Sequence, residues 1–138
     1  MSKPKINMCN SDLGKHSFVD KTTVKNKLQE FNKLLDISRK EKRPLVLWFK
    51  ADWCGHCKIV EPIFAKYRNK CVQNNSDLIM VIANLDTAKE LFEHHKIDGF
   101  PVIKFFDSGK EIKEQEIQGS KKEEIENLLN RLTSKKKF

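Results

Sequence analysis

Five consecutive apolar residues, Leu45-Val46-Leu47-Trp48-Phe49, lie between Pro44 and Lys50. A run with no polar alternation has no solvent-facing side, so it reads as a central strand covered on both faces. The segment after it narrows the reading further. Trp53-Cys54-Gly55-His56-Cys57-Lys58 sets two thiols three positions apart, where an amphipathic stretch begins. If Cys57 falls in the first turn of a helix, the i and i+3 positions share one face and the two sulfurs can bond and separate. A helix N-terminus carries unpaired N–H groups and a partial positive charge, and both stabilise a thiolate, the reactive form of cysteine. The dithiol is therefore suited to thiol–disulfide exchange. It sits just past the carboxyl end of a central strand, where α/β folds place their sites.

The rest of the chain supports an alternating architecture. Val24, Leu28, Phe31, Leu34, Leu35 and Ile37 fall near helical spacing between Thr22 and about Lys40, and Pro44 ends that pattern. His16 to Val19 reads as a short strand before it. A helix is expected from about Cys54 to Lys70, kinked at Pro62, then a buried strand from Leu78 to Leu85. Thr87-x-x-Glu90 has the form of a capping box opening a short helix through His95. Val102 to Phe106 reads as a third buried strand. Asp107-Ser108-Gly109-Lys110 reads as a hairpin turn into a last strand, Glu111 to Gln118. Ser120-x-x-Glu123 is a second capping box, with Ile125, Leu128, Leu129 and Leu132 as the apolar stripe of a final helix. The order β-α-β-α-β-α-β-β-α predicts a parallel sheet core with an antiparallel edge.

A chain of 138 residues fits one domain and buries roughly two-thirds of its unfolded surface, enough to fold without a disulfide scaffold. The expected division is a flexible basic arm at 1–15, one domain at 16–133 and a basic tail at 134–138. The net charge of +8 is uneven: residues 1–44 hold eleven Lys and Arg against five Asp and Glu, and residues 45–134 hold thirteen against fourteen. The ends are basic and the chemical part of the chain is near neutral. Basic ends can touch nucleic acid, but no aromatic residues interleave with them, so a solvated surface is the expectation. No apolar stretch resembles a membrane span or a secretory leader, which points to a cytoplasmic protein, or to the endoplasmic reticulum if the chain is a fragment. Zinc binding is the competing use of a Cys-x-x-Cys pair. It requires four ligands, and Cys9, Cys71, His16, His94 and His95 form neither a second Cys-x-x-Cys nor a His-x₃-His. No metal and no cofactor are expected. Cys9 and Cys71 read as bystander thiols, with a regulatory or intermolecular disulfide as the alternative, and His94-His95 as the polar end of a short helix.

The motif Trp-Cys-Gly-His-Cys-Lys at 53–58, Pro62 five residues beyond Cys57, and Gly99-Phe100-Pro101-Val102-Ile103-Lys104-Phe105-Phe106 together resemble a thioredoxin-fold domain. Within that fold they are most similar to the catalytic domain of protein disulfide isomerases, and the likeness spans about residues 16–133. The resemblance implies a thioredoxin fold, a central mixed β-sheet flanked by helices. It implies that Cys54 is the exposed nucleophile that forms the mixed disulfide, and that Cys57 is the deeper resolving thiol. His56 would stabilise the Cys54 thiolate, and Gly55 completes the motif. Trp53, Phe100 and Pro101, the last as a cis-proline, would receive the substrate. Three departures stand out. Six residues before Cys54 the family carries a buried acid; here that position is Trp48, and no Lys answers it on the strand from Leu78 to Leu85. Gly119 is followed by Ser120 and Lys121 instead of an Arg, and Val102 replaces a Thr after the proline.

Three functions remain open at this point. One is a protein disulfide oxidase or isomerase, which His56 favours. Another is a cytosolic thioredoxin-like reductant, which the lack of a leader favours. The third is a non-catalytic peptide-binding module, which the missing acid and basic ends favour. The expected partners are protein or peptide thiols and disulfides, with a reductase or oxidase as redox partner, acting on a monomer.

Overall fold

The computed structural model describes residues 8–13, 27–86 and 88–134; the side chains of residues 9–13 and 27 are not described. The chain begins with β1 (Met8–Leu13) and α1 (Lys27–Glu41), followed by β2 (Pro44–Lys50) and α2 (Gly55–Gln73). Next come β3 (Ile79–Asn84), α3 (Lys89–His94) and β4 (Val102–Asp107). Two short strands, β5 (Lys110–Glu111) and β6 (Ile117–Gln118), precede α4 (Lys122–Thr133).

The sheet runs β1-β3-β2-β4-β5, with β6 also paired to β4. β2 lies at its centre, with Leu45 to Phe49 all buried. Because side chains alternate across a strand, β2 feeds two cores. Val46 and Trp48 enter one layer with Cys57, Val60 and Phe64 of α2, and with Ile125 and Leu129 of α4. Leu45, Leu47 and Phe49 enter the other, with Phe31 of α1 and Leu91 and Phe92 of α3. The expected helix–sheet–helix layering is present, and the fold is the thioredoxin fold.

Several elements differ from expectation. Residues 8–13, within the arm expected at 1–15, form a strand parallel to β3, with Leu13 opposite Ala83. Met-Cys-Asn-Ser-Asp-Leu has no alternating pattern to announce a strand; the open edge of β3 supplies its partner. The strand expected at His16–Val19 and the start of the first helix at Thr22 lie outside the described residues, as do Thr87 and the tail from Lys135. β4 runs antiparallel to β2, with Trp48 opposite Ile103, although β1 and β2 both run parallel to β3. A six-residue helix such as α3 spans only about 9 Å, against about 20 Å for a six-residue strand, so it does not carry the chain back along the sheet for a parallel return.

The single strand expected at Glu111–Gln118 is two dipeptide strands separated by a 3₁₀ turn at Lys113–Gln115. The break has a polar cause. Lys104 is buried in the middle of β4, and its Nζ holds Glu111 at 3.0 Å and Glu116 at 2.9 Å. Burial acts to lower the Lys104 pKa, but the hydrogen bonds to Glu116 and Glu111 outweigh it and the net direction is up. A straight strand would carry Glu116 away from that ammonium. The hairpin turn itself forms as read, with Asp107 opposite Lys110 and positive φ at Ser108 and Gly109. A Cβ on Gly109 would come within 2.8 Å of Arg39 Cβ on α1, so the turn needs glycine for space as well as for φ.

Candidate active site

β2 delivers the chain to Cys54, which is the N-cap of α2 and has extended backbone angles. The Cys57 backbone N–H donates to Cys54 Sγ at 3.2 Å. A cap leaves the first N–H groups of a helix in need of an acceptor, and here a sulfur takes one of them. Both thiols are free. Cys57 is 0% exposed, and Cys54, expected to be exposed, is itself buried at 8%, so its sulfur meets solvent only narrowly.

Cys57 packs in the layer with Trp48, and its pKa is pushed up to about 12. The largest cause is burial, followed by its hydrogen bond to Cys54; a backbone hydrogen bond at Ala51 and the charge of Lys50 act the other way. Trp48 fills the position of the family's buried acid. Its ring is 2% exposed and lies 4.8 Å from that of Phe64, and its Nε1 has no hydrogen-bond partner among the described residues. Its sheet neighbours are Ile82 and Ile103, so β3 and β4 bring no acid to replace it.

His56 is exposed, and its Nδ1 lies 3.4 Å from Ser120 Oγ. This is the serine read as a capping box, but α4 takes Lys121 as its N-cap with no side-chain cap bond. The hydroxyl meets the histidine of the motif instead. Gly55 opens α2, and a Cβ there would meet nothing within 4 Å. The Phe100–Pro101 peptide bond is cis. Trp53, 66% exposed, meets the Phe100 ring edge-on at 5.6 Å, and Phe100 in turn meets Phe92 at 5.5 Å. An exposed indole beside a half-buried phenyl gives an apolar rim next to the dithiol. Behind it a cleft of about 210 Å³ is lined by His95, Asp98, Phe100, Pro101, Lys104 and Gln118.

Two expectations fail in physical detail. Cys71 is not a bystander thiol: it is fully buried and disulfide-bonded. The side chain of Cys9 lies outside the described residues. His95 is not a solvated helix end: its ring meets Phe31 at 5.7 Å, Phe49 at 5.6 Å and Phe106 at 6.2 Å. Burial first, then the charges of Lys104 and His94, lower its pKa to about 4. Lys50, Glu61 and Ser120 were not singled out as site residues from the sequence. The period-two continuation of the β2 face through Lys50, and the i, i+4 relation of Cys57 and Glu61 on α2, are the patterns that would have marked the first two.

The thioredoxin family model matches residues 22–131. The chain is 31% identical over 108 residues to a thioredoxin of Coprinus comatus, covering 78% of this chain and 94% of that one. It is 35% identical over 92 residues to protein disulfide isomerase-like 2-1 of Oryza sativa, covering 65% of this chain but only 24% of that much longer protein. The reduced thioredoxin pre-protein of Schistosoma mansoni superposes with a TM-score of 0.60 at 21% identity, covering 75% of this chain and 90% of that one. With a capped dithiol on α2, the layered mixed sheet and a family match over most of its length, the chain belongs to the thioredoxin family of thiol–disulfide oxidoreductases.

Proposed function

We propose that this protein exchanges disulfides with protein substrates as an oxidase or isomerase, through the Cys54–Cys57 couple. The observation that carries this reading is the asymmetric dithiol at the start of α2. One sulfur caps the helix and reaches solvent, and the other is sealed in the core one turn later. Cys54 attacks a substrate disulfide and forms a mixed disulfide; Cys57 then attacks Cys54 Sγ and releases the substrate as a thiol. Run backwards, the same steps oxidise or isomerise a substrate. Trp53 and Phe100 offer an apolar rest for the peptide around the reacting sulfur, beside Pro101. His56, between the two cysteines in sequence, supports the oxidising direction, because an imidazole N–H or positive charge brought near the thiolate stabilises the reduced pair and makes its disulfide the stronger oxidant.

The near full-length match to a thioredoxin favours a second reading, a thioredoxin-like reductant. A glutathione redox titration separates the two. The oxidase or isomerase reading expects a potential between ~−230 and ~−180 mV that shifts tens of millivolts toward reducing in His56→Pro. A value near ~−270 mV, unmoved by that replacement, selects the reductant. A parent that reduces insulin no better than Cys54→Ser would overturn both readings and leave a peptide-binding module.

A further inference from the structure

The second step of the exchange has an electrostatic problem, and this chain holds a local answer to it. Cys57 must become a thiolate inside an apolar layer where Trp48 stands in place of an acid. β3, β4 and α4 turn Met80, Ile82, Ile103, Phe105, Ile125 and Leu128 into that layer. β2, however, continues the face that carries Val46 and Trp48 out to Lys50. Lys50 Nζ lies over the Trp48 ring, 5.2 Å from its centroid. It is held there by Glu61 at 3.2 Å and Asp52 at 3.7 Å, with a side chain only 15% exposed. Asp52 is fixed in turn by Asn84 at 2.9 Å. Glu61 stands one helical turn beyond Cys57 on the same face of α2. The Lys50 ammonium is thereby pinned at the mouth of the layer that holds the resolving thiol. His56, the other ionisable group of the motif, is turned to Ser120.

We propose that Lys50 is the positioning charge for the resolving step: its ammonium, clamped by Glu61, Asp52 and the Trp48 face, stabilises the Cys57 thiolate as it attacks Cys54. The proposal rests on the thiol–disulfide exchange reading. The effects that act on Cys57 in the dithiol support it. Burial, the hydrogen bond to Cys54 and the Cys54 charge oppose the thiolate, whereas a backbone hydrogen bond at Ala51 and Lys50 favour it. Once Cys54 is tied up in a mixed disulfide, its sulfur can no longer carry a charge that opposes the thiolate. Of the Cys54 and Lys50 charges, that of Lys50 then remains to act on Cys57. The step balances as follows. The Cys57 thiol gives its proton to solvent, its thiolate attacks Cys54 Sγ, and the Cys54–substrate S–S bond breaks. The substrate sulfur leaves with the electron pair and is reduced as the cysteine pair is oxidised.

Dithiobis(nitrobenzoate) tests this, because it releases one coloured thiolate when Cys54 attacks and a second when Cys57 resolves. The first release checks that the site is folded and reactive; its absence in the parent would strike at the exchange reading, not at Lys50. Lys50→Met is expected to keep the first release and slow the second about tenfold at neutral pH, which displaces its pH profile about one unit upward. Lys50→Arg is expected to restore the rate, and Glu61→Gln, which keeps the ammonium, to leave the second release no slower than in the parent. A second release in Lys50→Met with the parent's rate and pH profile would overturn the proposal. So would a slowing in Glu61→Gln that Lys50→Met does not share, since that would make the carboxylate the proton acceptor.

Discussion

Raising the pH is the most direct perturbation of this site, and its effect follows from the burial of Cys57. An ordinary thiol of pKa 9.0 is about one part in a hundred ionised at neutral pH; at about 12 the fraction is roughly a thousandfold smaller. Forming the mixed disulfide removes the Cys54 contributions but leaves burial, the largest cause, in place. Between about pH 7 and about pH 9 the Cys57 thiolate therefore stays a minor species, and each pH unit multiplies it about tenfold. Stopped-flow release of the second thiolate from dithiobis(nitrobenzoate) should rise close to a hundredfold over that interval, while Cys57→Ser stops after the first. A second phase that levels off below about pH 8 would refute the reasoning, because Cys57 would then titrate as an exposed thiol or pass its proton to another base. The same group has a stability consequence. Its folded pKa lies above the unfolded one, so its contribution is whole below about pH 9 and is lost as pH rises toward about 12.

Three further outcomes follow. His95 is depressed to about 4, so the stability it contributes is present above its ordinary value of 6.5 and lost as pH falls toward about 4. Urea unfolding of the parent should lose up to about 3 kcal/mol over that range, and His95→Phe should keep most of it; an equal loss in both would show that His95 is not its source, since Glu116, whose pKa the Lys104 hydrogen bond lowers against burial, gives up its contribution only below its ordinary value of 4.5. Trp48→Glu restores a carboxylate beneath Lys50 at a cost of about 3–5 kcal/mol in lost packing against Phe64. A folded variant should release the second thiolate faster at neutral pH, and no acceleration would mean that the missing acid is not limiting. Ser120→Ala frees His56 Nδ1 from its hydroxyl neighbour, and the glutathione titration should show a shifted potential; an unchanged one would show that the contact does not hold the imidazole in a working position.

The dithiol and its setting were legible in the chain because every relation involved is local. The apolar run at 45–49, the step to a helix N-terminus and the three-residue spacing of Cys54 and Cys57 need no distant partner, and the structure places all of them as read. The final helix was legible for the same reason, since Ile125, Leu128 and Leu129 repeat on one face. Its expected cap was not formed, because Ser120 has a choice between a nearby backbone N–H and a histidine 64 positions away, and only the folded chain brings that histidine within reach.

The remaining differences have one physical origin: they are set by contacts between residues far apart in sequence. β1 lacks an apolar alternation and exists because the edge of β3 accepts it. The break between β5 and β6 follows from one buried ammonium that draws in two carboxylates. His95 reads as polar surface but lies among Phe31, Phe49 and Phe106, supplied by α1, β2 and β4. Lys50 and Glu61 are eleven residues apart and carry no motif, yet one strand end and one helix turn bring their charges to 3.2 Å. The sequence alone thus determined where the two thiols lie, because spacing along one strand–helix step places them. The surroundings that tune those atoms were decided by the tertiary structure, because burial and charge at a point depend on every element that packs against it.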